Sequence, residues 1–194
     1  MKRPAVPSLT RLALLLVVVV PVAAWVIVKP VRVLAPQWMN VTCDDLEAVC
    51  VDDASRQPEA TQLYDEGIAF VASKVDAIHG RPRVVFCATQ ACADAFGLGD
   101  RSAVTLGTFG TVIGPRAWKP YYVRHELIHY LQAERIGVVP LLAKPSWWVE
   151  GMAYALSEDP REALVEPWQG HRAKFRQWMS VVGVDKMWGG EEGR

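Results

Sequence analysis

Between Pro58 and His79 the chain reads PEATQLYDEGIAFVASKVDAIH, with Leu63, Ile68, Val71, Val75 and Ile78 on one helical stripe that Gly80 closes. The apolar run RVVFC, Arg83 to Cys87, predicts a short strand. QACADAF predicts one or two helical turns ended by Gly97. SAVTLGTFGTVIGP alternates β-branched residues with glycines and stops at Pro115, which predicts two short strands or a hairpin. A helical pattern then runs from Trp118 to Ile136 and ends at Gly137. Pro140 and Pro145 bracket a loop, and Ser146 is placed to cap a second helix, WWVEGMAYALSE. Trp168 to Val182 predicts a third helix. Helix, strands, then helices is an α+β order.

The N-terminus has a different pattern. Met1-Lys2-Arg3 and Arg11 precede an uncharged apolar run from Leu12 to Val28, which Lys29 closes. Its 17 residues reach the lower end of a bilayer span. Positive charge ahead of the run predicts a cytoplasmic N-terminus, with everything after Lys29 exported. The expectation is an uncleaved transmembrane anchor within residues 1–29, although Pro21 to Ala24 also fits the end of a cleavable signal peptide. Residues 30–57 are expected to form a linker, from Pro30 to about Asn40, followed by a disulfide loop.

A length of 194 residues suits one globular domain. Lysine plus arginine equals aspartate plus glutamate at 21 each, and no basic block occurs, so nothing favours a nucleic-acid partner. The four cysteines all follow the apolar run. In a cytosolic chain they would be incidental thiols. Beyond a membrane the expectation is two local disulfides, Cys43–Cys50 and Cys87–Cys92, out of three possible connectivities. Neither spacing is the C-x2-C of a zinc ribbon.

The chemistry concentrates in YYVRHELIHYLQ. His125 and His129 stand four apart, one above the other on a helix, so both imidazoles can reach one metal. Glu126, about 100° around the axis, can address a water on that metal. A catalytic zinc takes a third protein ligand. A third histidine in the pattern HExxHxxGxxH is absent, because Gln132 and Arg135 occupy those positions. Glu150, 21 residues after His129 in SWWVEGMAYAL, can supply it from the next helix, which Gly151, Ala153 and Ala155 keep slim. Its apolar neighbours Trp148 and Met152 argue for burial, and a buried carboxylate wants a partner.

HELIHYLQ followed by WWVEGMAYAL resembles the gluzincin metallopeptidases, specifically the peptidase MA-like group, over roughly 103–157. The resemblance implies a minimal zincin-like domain over 58–194: a small sheet with an edge strand, the HExxH helix and a following ligand helix. It implies Zn2+ held by His125, His129 and Glu150, with Glu126 as the general base. The edge strand that would hold an extended peptide is expected near Thr111 to Gly114. The implied activity is hydrolysis of peptide bonds by a zinc-activated water, on a peptide or protein substrate, in a membrane-tethered extracytoplasmic enzyme. Tyr154, one turn beyond Glu150, and His171, read as lying in a loop after Gly170, are the candidate donors to the oxyanion. Thermolysin-type enzymes carry an aspartate where Tyr154 stands, so the partner that orients a ligating histidine is unassigned. The rival readings are a non-catalytic binding module of zincin fold and a structural zinc protein in which His171 fills the fourth position.

Overall fold

The computed structural model describes residues 9–188. The chain begins with a helical stretch in three pieces: α1 (Leu9–Leu14), a π turn (Leu15–Val19) and α2 (Val20–Ile27). Pro21 explains the interruption, because it has no N–H to donate and its ring crowds the carbonyl four residues back. Just ahead of it the ladder slips by one residue, and Val20 N–H donates to Leu15 O. The stretch is apolar and open, with Val17 72% and Ile27 76% exposed. The single spanning helix expected over Leu12 to Val28 is therefore not found as one element. No helix among the described residues is long and apolar enough to cross a membrane.

The stretch from Pro30 to about Asn40, expected to form a linker, packs instead. Two 3-10 turns, Lys29–Leu34 and Pro36–Met39, place Val33 fully inside. Arg83 ties them down by donating from Nη1 to Leu34 O at 3.0 Å. The disulfide loop is likewise part of the sheet: β1 (Thr42–Cys43) and β2 (Val49–Val51) pair antiparallel, with Cys43 opposite Cys50 and bonded to it. Then follow α3 (Gln57–Lys74), β3 (Val84–Phe86), α4 (Gln90–Ala95), the hairpin β4 (Ala103–Leu106) and β5 (Gly110–Ile113), α5 (Pro120–Ile136), α6 (Val138–Leu142), α7 (Ser146–Leu156) and α8 (Trp168–Val182). Ser146 is the first residue of α7, and Pro145 holds the cap position without a side-chain bond. Cys87 bridges to Cys92 and pins α4 to the end of β3.

The sheet has five strands in the order β1-β2-β3-β5-β4. The inner three run parallel and both edges run antiparallel. Side-chain alternation sorts the inner strands into two cores. Val49, Val51, Val84, Phe86 and Ile113 face α3, α5, α7 and α8. Cys50, Val85 and Val112, aligned across the sheet, face α4 and Val33. Burial on both faces explains why RVVFC reads as a continuous apolar run.

α5 lies against the first face. Pro120 suits the first helical position, where no N–H is needed, and Gly137 ends the helix at φ 91°. Leu127, Ile128 and Leu131 are fully buried, at roughly 1.5–3 kcal/mol each. α3 crosses close by because Gly67 has no side chain: a Cβ there would meet Leu127 Cδ1 at 2.8 Å.

Candidate metal centre

Burying Leu127, Ile128 and Leu131 turns the other edge of α5 toward a cleft of about 620 Å³ between β4, α7 and the segment before α8. His125 and His129, one turn apart, bring their Nε2 atoms within 3.1 Å of each other. α7 delivers Glu150, whose Oε2 lies 3.6 Å from each Nε2. The three atoms form a triangle with sides of 3.1, 3.6 and 3.6 Å. Two ligands about 2.1 Å from a tetrahedral centre stand about 3.4 Å apart. His125, His129 and Glu150 are thus a donor set that could hold a metal ion.

Gln132, unassigned by sequence, orients this set. Its Oε1 accepts from His129 Nδ1–H at 2.8 Å, so Nε2 is the nitrogen left to face a metal once its proton is lost. Its amide donates to Val149 O on α7 at 2.9 Å, next to Glu150. Fully buried, Gln132 joins the two helices that carry the ligands. It is the partner of a candidate ligand histidine that the sequence left unassigned. A readable signal existed: Gln132 is three residues from His129, hence on the same helix face.

Gly151 on α7 faces α8. A Cβ on Gly151 would stand 2.4 Å from His171 O, so this glycine lets α8 lie flush against α7. That contact presses Met152 and Ala153 into the core and sets Glu150 at the cleft.

Glu126 is 6% exposed and lines the cleft beside the histidines. Thr105 Oγ1 stands 2.7 Å from Glu126 Oε2, donating to it, and 2.9 Å from Thr111 Oγ1, accepting from it. Thr105 belongs to β4, whose outer edge pairs with no strand among the described residues. The edge strand at the cleft is therefore Ala103–Leu106, and the expectation of Thr111 to Gly114 is corrected: β5 is flanked by β3 and β4 and is wholly buried. A hairpin read from local pattern does not say which arm faces the next strand.

Charge is tightly coupled here. Burial by itself would lower the His129 pKa, but hydrogen bonding and attraction from Glu150, with Glu126 adding, raise it to about 9. Burial would likewise raise Glu150, yet bonds from His125 and His129 hold it far below the usual carboxylate range. Tyr154 lines the cleft with its ring 4.4 Å from that of His125. Burial, then the Glu150 charge, pushes its hydroxyl up to about 12, so it stays protonated at neutral pH.

His171 is differently placed from the sequence expectation. Gly170 and His171 lie within the first turn of α8, not in a loop, and His171 does not line the cleft. Its ring packs edge-on against Trp168 at 5.7 Å. In its stead the cleft holds Arg161, clasped by Asp159, which no local pattern marked. Burial would raise the Asp159 carboxyl, but the Arg161 bonds hold it below its usual value.

No protein-family model, no curated protein and no solved structure matches this chain.

Proposed function

We propose that the chain is a zinc-dependent peptidase of gluzincin type, acting outside the cytoplasm. The observation that carries the reading is the triangle of His125 Nε2, His129 Nε2 and Glu150 Oε2, with sides fit for a tetrahedral ion and a buried glutamate beside it. Two imidazoles, one carboxylate and room for a water is the donor set of a catalytic zinc rather than of a closed structural site. When bound, the ion supplies a Lewis acid and lowers the pKa of water in the cleft.

The chain's residues have separable tasks in this reading. Thr105 holds one Glu126 oxygen, leaving the other to take a proton from water and return it to the leaving amine. Tyr154, still protonated, is the donor suited to an oxyanion. The open edge of β4 supplies backbone groups along which an extended substrate can align. The extracytoplasmic site rests on the two disulfides, which persist in oxidising compartments. Attachment to a membrane rests on the exposed apolar surface of α1 and α2.

The test is metal analysis of the full chain with digestion of a peptide library, beside Glu126→Gln. About one zinc per chain with hydrolysis that the variant loses is expected. Zinc retained with no hydrolysis under any condition would favour a structural or binding role.

A further inference from the structure

The segment between α7 and α8 carries a cation into the cleft and fixes it from two sides. Arg161 O accepts from Arg172 Nη1 at 2.9 Å, and Arg172 is only 3% exposed. The Arg161 side chain is gripped by Asp159, whose side chain is 1% exposed. Nε donates to the two carboxylate oxygens at 2.9 and 3.0 Å, and Nη2 donates to one of them. These bonds take the side of the guanidinium formed by Nε and Nη2. The end formed by Nη1 and the second Nη2 hydrogen has no hydrogen-bond acceptor among the described residues, although the guanidinium lies 5.4 and 5.3 Å from the Tyr121 and Tyr122 rings, and 38% of the side chain is exposed.

An ordinary surface ion pair is worth about 0–1 kcal/mol and does not call for two buried residues to hold it. The result here is a rigid pair of parallel donors on the cleft wall. Its position is informative. Arg161 Cζ is 5.9 Å from the Tyr154 ring, which is 4.4 Å from the His125 ring. The guanidinium is therefore within about three residues of extended chain from the metal ligands, at roughly 3.3 Å per residue. Asp159 offsets part of the charge, so discrimination combines the remaining charge with the geometry of the two donors. A planar carboxylate engages both remaining donors, whereas a neutral amide oxygen cannot match the charge-assisted pair.

We infer that the end of Arg161 is a subsite for a carboxylate on the substrate, within three residues of the bond cleaved. That the carboxylate belongs to a peptide rests on the peptidase reading. It can be a C-terminal carboxylate or the side chain of Asp or Glu.

Calorimetry on the metal-free full chain tests this, since a carboxylate then cannot bind the metal instead. The probes are an N-blocked tripeptide acid with its amide, and a hexapeptide blocked at both ends with central Glu or Gln. In at least one pair the acid should bind about 10–100-fold more tightly than its neutral counterpart. The pair that discriminates identifies the source. Arg161→Gln should abolish the preference. Asp159→Asn combined with Arg161→Gln, which leaves no buried carboxylate unpaired, should do the same. Equal affinity within both pairs, no binding of any probe, or a preference that survives in the folded double variant overturns the subsite. Turnover of the same probes by zinc-loaded protein is read separately. An acid preference without hydrolysis would end the peptidase reading and leave the subsite standing.

Discussion

At the residue scale, Glu126 and Glu150 sit in one cleft with different partners, and this sets different expectations for them. Glu150 faces two imidazole nitrogens, so Glu150→Ala should strip the metal and lower stability, because bound zinc favours the folded state. Glu126 is held by a threonine hydroxyl, so Glu126→Gln should keep the metal while hydrolysis falls by roughly 10²–10⁴. Zinc stoichiometry and peptide turnover on both variants separate the roles, and a Glu126→Gln protein as fast as wild type would end the peptidase reading. Gln132→Leu removes the bond that fixes His129, and zinc affinity should drop about 10–100-fold in competition with a chelator.

The His129–Glu150 coupling also gives a pH dependence. In metal-free protein His129 titrates near 9, above the ordinary 6.5. Its contribution to stability is complete below about 6.5 and is lost as pH rises through about 9. Glu150, held low, contributes fully above its ordinary value of 4.5 and loses that contribution progressively as pH falls below it toward the folded value. Zinc must displace the His129 proton. Its apparent affinity should therefore rise about tenfold per pH unit between about 7 and 9, then level off. Chelator titrations across that range measure it; a flat profile would mean His129 is already neutral at pH 7.

At the element scale, the site depends on how closely α7 and α8 approach. Gly151→Ala places a methyl 2.4 Å from His171 O, a backbone atom that cannot move aside alone. Denaturant unfolding should show a loss of about 1–3 kcal/mol or more, with weakened metal binding as Glu150 shifts. Gly170→Ala, exposed on α8 and meeting only the flexible Glu166 side chain, should be neutral or slightly stabilising. Equal losses at both glycines would mean the α7–α8 contact is looser than described. Helical periodicity revealed these helices in advance: α8 was read with its observed limits, and α5 to within two residues at its start. Cap chemistry was less informative, since Ser146 lies inside α7.

At the scale of the whole molecule, two short disulfides tie down the part of the sheet remote from the cleft. Cys43–Cys50 closes the first hairpin and Cys87–Cys92 fastens α4. Loops this short contribute about 2 kcal/mol each. Replacing either pair by serine should lower the melting temperature by about 4–8 °C while leaving the zinc stoichiometry of the folded protein unchanged. Loss of metal from a folded pair variant would show that the sheet and the cleft are coupled.

The chain by itself determined what depends on near neighbours. Two histidines at i and i+4 share a helix face wherever that helix goes, and an apolar run bounded by turn residues becomes a strand. The intervals of five and seven residues likewise favoured local cysteine pairing, which the structure contains. Tertiary structure decided what depends on partners distant in sequence. It made β4 the edge, because β3 takes the other side of β5. It drew residues 29–51 into the fold, because Val33 and β2 complete the two faces of the sheet. It set Gln132 against Val149 and turned Arg161 toward Tyr154. Periodicity records which way a side chain leaves its own element. What it meets there is set by packing, and packing is a property of all the elements at once.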